Sequence, residues 1–253
     1  MRRAKDFVLK QIYRAGFDVF RIGTRYAQDG LATIHNDGFR SRPEFRAAYR
    51  RGLTAGGGVD PGFEWRVHLA LWAARTSLRA TGDFVECGVN AGFISSAIMQ
   101  ALRWKEQDRR YFLVDTWEGP PLGQYDAQEV ARGRRAQAAA GVAAGAYHTD
   151  LDRVRANFAE WPNAIVVPGR VPDILPSLPV TEVAFLHLDM NIALPERAAL
   201  EFFWPRLTPG AMVLLDDYAY RGHELQGAAM DRAAQALGAE IVSLPTGQGL
   251  IVR

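Results

Sequence analysis

From Asp83 onward, short runs of β-branched and aromatic residues alternate with longer stretches of helical character. The runs are Phe84-Val-Glu86, Tyr111-Phe-Leu-Val114, Ala164-Ile-Val-Val167, Val183-Ala-Phe-Leu-His-Leu188 and Met212-Val-Leu-Leu215. Runs this apolar suit strands buried on both faces, and their alternation with helices predicts a mostly parallel sheet. Two final runs, Glu240-Ile-Val-Ser-Leu244 and Leu250-Ile-Val252, are joined only by Pro245-Thr-Gly-Gln-Gly249. That linker is too short for a parallel crossover, so the last two strands should form an antiparallel hairpin.

Ahead of this region, Phe7, Val8, Ile12, Tyr13, Phe17, Val19 and Phe20 recur at roughly helical spacing, with Lys10, Arg14 and Arg21 on other faces. This predicts a basic amphipathic helix, whose apolar stripe would be covered by self-association. Glycine and proline then crowd the segment Gly52-Leu-Thr-Ala-Gly-Gly-Gly-Val-Asp-Pro-Gly62, which places a boundary near residue 60. Two regions follow: a basic helical extension over 1–60 and a main domain over 61–253. Trp65, Leu69, Trp72, Ala73 and Thr76 share one helical face, expected to pack a helix onto the sheet. Over residues 119–149 no strand fits, and a helical insertion over the sheet edge, acting as a lid, is the simplest reading.

Composition narrows the class. Residues 1–51 hold 12 Lys/Arg against 5 Asp/Glu, a balance of +7, while 52–253 hold 18 against 23, a balance of −5. Such an arm can touch nucleic acid, an anionic membrane surface or an acidic face of a partner subunit, but it is read first as a solvated helix face, with no nucleic acid partner expected. No apolar run is long enough for a membrane span, and Lys5, Asp6 and Lys10 interrupt any leader-like stretch, so a cytoplasmic location is expected. Cys87 is the single cysteine, which excludes an internal disulfide and a cysteine metal cage.

The first strand of the repeating region runs into Glu86-Cys-Gly88-Val-Asn90-Ala-Gly92, and Phe93-Ile-Ser-Ser-Ala-Ile-Met-Gln100 continues as a helix. Glycines in such a turn let a ligand approach the backbone. An acid two residues before the first glycine would repel a pyrophosphate, but it accepts a hydrogen bond from a cationic amino group such as the methionine end of S-adenosylmethionine. The next strand ends at Asp115, where a ribose hydroxyl can be bound, and Trp117 follows as a candidate for the adenine face. The bland alternative is that Asp115 only caps its loop. Glu86, Gly88, Asn90, Gly92, Asp115, Trp117 and Arg170 form the candidate cofactor set. A parallel sheet ending in a hairpin is the methyltransferase version of the Rossmann-like α/β fold, here with an N-terminal helical extension.

Asp189 ends the run Leu186-His-Leu-Asp189, and Asp216 and Asp217 end the run Leu214-Leu-Asp-Asp217. Carboxylates at the tips of neighbouring strands can share one hard cation, so Asp189, Asp216 and Asp217 are candidate metal ligands, with Mg²⁺ the candidate ion. Side-chain alternation argues that Asp216 and Asp217 do not both face the same spot on a regular strand. Asp189 is also a candidate catalytic residue, and His223 and His148 compete as general base. His187, inside a strand, reads as a core histidine.

From about Asp83 onward the chain resembles the TylF-type, macrocin O-methyltransferase-like class of S-adenosylmethionine-dependent enzymes. The resemblance rests on Phe84-Val-Glu-Cys-Gly-Val-Asn-Ala-Gly92, Val114-Asp-Thr-Trp-Glu-Gly119, Val154-Arg-Ala-Asn-Phe158, Gly169-Arg-Val-Pro-Asp173-Ile-Leu-Pro176, Leu188-Asp-Met-Asn191, Phe203-Trp-Pro-Arg-Leu-Thr-Pro-Gly210 and Leu214-Leu-Asp-Asp-Tyr218. It implies methylation of a sugar or secondary-metabolite hydroxyl, with a divalent metal on Asp189, Asp216 and Asp217. The family pattern D-G-D-M-Y departs here to Asp189-Met-Asn191, without the second acid, which leaves a metal-free route through Asp189 and a histidine open. A small-molecule or glycan acceptor is expected. The rival classes are a nicotinamide-dependent Rossmann oxidoreductase and a non-catalytic scaffold that keeps the cofactor fold.

Overall fold

The computed structural model describes residues 8, 10–12, 14–15 and 25–253. The amphipathic helix expected over residues 7–20 lies mostly outside the described residues; among them, Val8, Lys10, Gln11, Ile12 and Arg14 are helical. The chain divides into two compact units, Met1–Gly38 and Phe39–Arg253. The first contains a hairpin of β1 (Tyr26–Gln28) and β2 (Leu31–Thr33). Asp29 and Gly30 at its tip both have positive φ, 51° and 71°, the backbone that a two-residue turn between twisted strands requires.

The second unit begins with two helices, α1 (Pro43–Ala55) and α2 (Glu64–Ser77). Then come β3 (Asp83–Cys87), α3 (Phe93–Ala101) and β4 (Tyr111–Asp115), followed by two helices of the insertion, α4 (Ala127–Ala131) and α5 (Arg134–Ala143). The order continues α6 (Leu151–Phe158), β5 (Ala164–Pro168), β6 (Val183–Leu188), α7 (Ala193–Phe203), β7 (Leu207–Leu215), α8 (Glu224–Ala236), β8 (Val242–Ser243) and β9 (Gly249–Val252). The Gly52–Gly62 run lies inside this unit: its first turn belongs to α1, and Tyr49 of α1 packs edge-on against Phe93 of α3, as does Phe63.

Seven strands form one sheet in the order β5-β4-β3-β6-β7-β9-β8. The pairs among β3 to β7 are parallel, while β7 with β9 and β8 with β9 are antiparallel, as the short 245–249 linker demands. Successive strands run outward from β3 in one direction and from β6 in the other. The C-terminal ends of β3 and β6 therefore flank the crevice where open α/β sheets bind ligands.

The period of two sorts the strand residues into two cores. Val85, Cys87, Phe112, Val114, Leu186, Leu188, Val213 and Leu215 pack against Ala199, Leu200 and Phe203 of α7 and Met230 and Ala233 of α8. On the other face, Phe84, Tyr111, Leu113, Phe185 and Leu214 pack against α2, α3 and α6. Each of the fully buried rings contributes roughly 1.5–3 kcal/mol. On α2 the buried residues are Arg66, Val67, Ala70, Leu71, Ala73, Ala74 and Ser77, whereas Trp72 is 47% exposed, so the expected packing face is corrected. Small side chains bring the helix axis close to the sheet, and the bulky indole is turned outward.

Candidate active site

A cleft of about 700 Å³, including its open mouth, lies over the C-terminal ends of the parallel strands. Gly88, Asn90, Asp115, Arg170, His148 and Asp189 all line it, so these candidates converge although they span a hundred residues of sequence. Glu86, Gly92 and Trp117 are not among its lining residues. Glu86 is buried beneath the turn, where its Oε2 accepts from the Tyr111 hydroxyl at 3.0 Å. Gly92 faces α6 instead: a Cβ there would stand 2.4 Å from Cζ of Phe158. Trp117 is buried in the helix-side core, and its Nε1 donates to the Asn90 carbonyl at 2.9 Å. These three residues lie behind the glycine turn rather than on the cleft wall.

Asp115 does what its bland alternative supposed and also faces the cleft. Its Oδ2 accepts from the backbone N–H groups of Val89 at 2.7 Å and Asn90 at 2.8 Å, and its Oδ1 accepts from Trp117 N at 2.9 Å. The carboxylate thus ties the glycine turn to the end of β4. Asn90 ties it to the insertion, because its Oδ1 accepts from His148 N at 2.7 Å. At the rim, Arg170 is paired with Asp173 at 2.7 Å.

On the helix-side face of the sheet, aromatic residues give way to ionisable ones toward the C-terminal edge: Phe84 then Glu86, Phe185 then His187, Leu214 then Asp216. Glu86 and His187 are register partners on parallel strands, and their side chains approach to 3.4 Å. His187 lies 3.8 Å from Asp216 on its other side, yet neither ring nitrogen makes a hydrogen bond of good geometry. Burial lowers the His187 pKa, but the carboxylates of Asp216 and Glu86 outweigh it and hold the imidazole well above its ordinary range. The core histidine read from the sequence is therefore part of a buried charge chain.

Carboxylate oxygens of Asp189, Asp216 and Asp217 lie within 4.8 Å of one another. Alternation does not separate Asp216 from Asp217, because β7 ends at Leu215 and both acids sit in the following turn. Arg66 of α2 donates to Asp216 Oδ2 at 2.5 Å and to Asp217 Oδ1 at 3.2 Å, and its guanidinium stacks 4.3 Å over the Tyr220 ring. Burial favours the neutral form of Asp216, but Arg66 and His187 hold its carboxyl well below the usual range. Asp189 and Asp217 go the other way: burial, then the charge of their acidic neighbours, raises both. Two of the three acids thus have unmet demand for positive charge. An oxygen-only set of this size suits a hard divalent ion such as Mg²⁺. Asn191, in the place of the second acid, donates its side-chain N–H to Asp189 Oδ1 at 3.2 Å, from a backbone with φ of 62°.

The two histidines separate clearly. His148 lines the cleft, and burial followed by the Arg153 charge lowers its pKa, which keeps it unprotonated near neutrality. His223 is buried at the turn after β7, 3.0 Å from Gln226 Oε1, 3.7 Å from Asp217 and 2.9 Å from Arg134. Arg134 belongs to the insertion, which is helical as expected. The insertion is further fixed by Glu129, whose carboxylate closes a capping box with Asp126 and accepts from Ala193 N at 3.2 Å. Arg66, the cleft-lining Tyr147, and Gln248, whose Nε2 donates to Asp216 Oδ1 at 2.8 Å, were missed by sequence reasoning. None of the three carries a local signal: each reaches the site only through its three-dimensional placement.

A seven-stranded Rossmann-like sheet with a C-terminal antiparallel hairpin, a glycine turn at the switch point and acids at neighbouring strand tips defines the methyltransferase class of this fold. Residues 85–218 match the family model described as a methyltransferase domain, more than half of the chain, and the chain belongs to that family. A curated relative from Streptomyces olivaceus, "8-demethyl-8-(2,3-dimethoxy-alpha-L-rhamnosyl)-tetracenomycin-C 4'-O-methyltransferase", is 37% identical over 144 residues, covering 54% of this chain and 53% of the relative. The chain thus spans about half the length of the curated relative it matches. Among solved structures, the O-methyltransferase NovP aligns with a TM-score of 0.61 at 21% identity, over 81% of this chain and 88% of that one. The calicheamicin methyltransferase CalS11 aligns with a TM-score of 0.56 at 20% identity, over 86% and 97%. At those identities the two structures support the fold alone.

Proposed function

We propose that the protein is an S-adenosylmethionine-dependent O-methyltransferase acting on a hydroxyl of a sugar or related secondary metabolite, with a divalent cation held by Asp189, Asp216 and Asp217. The observation that carries this reading is the double position of Asp189, which lines the cleft and is also one corner of the acid cluster. An oxygen held at the cluster would be adjacent to whatever the glycine turn holds. The donor supplies an electrophilic methyl on a sulfonium, and the cation supplies Lewis acidity toward an acceptor hydroxyl. The chain's own residues do the rest by alignment and proton handling. Gly88 and Asn90 hold the turn against the donor, Asp115 offers its remaining lone pair to a ribose hydroxyl, and His148 stands on the cleft wall as base.

The sugar assignment is supported by the name of the Streptomyces olivaceus relative, a methyltransferase of a rhamnosyl-tetracenomycin. The nicotinamide reading is not favoured, because the family is a methyltransferase one. The test is incubation with S-adenosylmethionine and rhamnosylated aromatic polyketides, following S-adenosylhomocysteine and the methylated product by mass spectrometry. Turnover that stops on chelation with EDTA and returns with Mg²⁺ is the expected result. Full activity after exhaustive chelation would remove the cation from the proposal. Tight donor binding without turnover on any sugar hydroxyl would leave the non-catalytic scaffold.

A further inference from the structure

The acid cluster contains its own cation. Arg66 is 7% exposed at the first turn of α2, and a single nitrogen, NH1, reaches a carboxylate oxygen of both Asp216 and Asp217. Stacking on Tyr220 fixes the plane of the guanidinium from the opposite side. The other oxygen of Asp216 accepts from Gln248 Nε2 at 2.8 Å, and the Gln248 carbonyl oxygen accepts from Thr246 Oγ1 at 2.9 Å. Both oxygens of Asp216 are thus held from two separate elements, α2 and the 244–249 turn. Asp189 is held independently, through Asn191.

A buried guanidinium beside acids that bind a cation has two opposite possible effects. It can compete, because its charge repels an incoming ion, or it can organise, because it fixes where the carboxylates stand. The bridging geometry favours organisation. Without Arg66, two carboxylates in consecutive positions of one turn would repel each other and separate, and only a fixed spacing keeps both within 4.8 Å of Asp189. We propose that Arg66, braced by Tyr220, is a positioning residue for cation binding: it sets the spacing of Asp216 and Asp217 so that they and Asp189 meet one divalent ion. This rests on the cation reading given under the proposed function.

The test is Mn²⁺ binding to the full chain, measured by calorimetry and electron paramagnetic resonance, in wild type, Arg66→Met and Arg66→Lys. S-adenosylhomocysteine affinity is measured in parallel. The Lys variant keeps the charge and guards against a Met variant that does not fold. Loss of a charge-assisted bridge should weaken Mn²⁺ binding about tenfold or more in both variants, with S-adenosylhomocysteine affinity unchanged. Tighter Mn²⁺ binding in Arg66→Met would make Arg66 a competing charge, and unchanged binding in either variant would show that the bridge does not set the spacing; each overturns the proposal while leaving the cation reading standing. A parallel loss of S-adenosylhomocysteine binding would overturn it in favour of general collapse of the site. Wild-type protein that binds no Mn²⁺ would remove the cation reading and this role together.

Discussion

Replacing Gly88 by Ala should damage the protein more than any other single methyl group added to a loop glycine of the cleft. Gly88 has φ of +92°, so any side chain there is strained by roughly 1–2 kcal/mol before contacts are considered. A Cβ would also stand 1.9 Å from the carbonyl oxygen of Asp189, where real Cβ contacts do not fall below 3.0 Å, so one backbone must move by about 1.1 Å. That movement separates the ends of β3 and β6, where Asp189 N donates to the Cys87 carbonyl at 2.9 Å. Overpacking of this kind costs about 1–3 kcal/mol, for a total near 2–5 kcal/mol. Gly58 is the matched control: its φ is +86° but a Cβ would meet nothing within 4 Å, so Gly58→Ala carries the backbone strain alone. Urea denaturation of both variants isolates the steric part as their difference, and calorimetry with Mn²⁺ and S-adenosylhomocysteine reads the displacement of Asp189. Equal stabilities within about 0.5 kcal/mol would refute the close approach of the two strand ends.

Asp115→Ala removes the acceptor of three backbone N–H groups as well as the proposed ribose contact. It should therefore lower stability by about 2 kcal/mol or more, alongside the weaker S-adenosylhomocysteine binding that the proposed function requires, and wild-type stability in urea would contradict the loop-holding role. Burial raises the pKa of Glu196 to about 8, so the folded state holds its proton more tightly than the unfolded chain. That contribution is complete below about pH 4.5 and is lost as pH rises toward 8, by at most about 1.4 kcal/mol per pH unit. Glu196→Gln, which keeps an oxygen for the N–H groups of Met190 and Asn191, should match wild type at pH 5 and exceed it at pH 8; parallel melting curves across that range would contradict this. His148→Asn should remove the acidic limb of the kcat profile, which falls below pH 6.5 because the group's pKa is lowered, whereas His223→Asn should keep that limb and lower the melting temperature. An acidic limb that survives in His148→Asn would move the base elsewhere.

The parts of this molecule that were legible in the sequence are those where one physical requirement acts along the chain. Strands buried on both faces must be largely apolar, so β3, β4, β6 and the end of β7 are visible as runs, the half-buried edge strand β5 is apolar as well, and a five-residue linker permits only a hairpin. The acids at strand tips were legible for the same reason, since a carboxylate that ends an apolar run has little else to do. What failed to show depends on contacts across the chain. Glu86 was read as a cofactor ligand from its place before the glycine turn, but the period of two that puts Phe84 in the helix-side core sends Glu86 to the same side, under the turn and next to His187. Trp117 was read as an adenine platform because aromatic rings often serve that purpose, yet its positive φ of 48° folds the indole back into the core. Arg66 lies 150 residues from Asp216, and no local pattern distinguishes it from the many solvated arginines of this chain. In each case the structure places the side chain behind the cleft wall rather than on it. The cleft wall is built from groups that bind, and behind it stands a buried layer of charge, Glu86, His187, Asp216 and Arg66, whose members neutralise one another pairwise and so keep the strand tips from repelling apart.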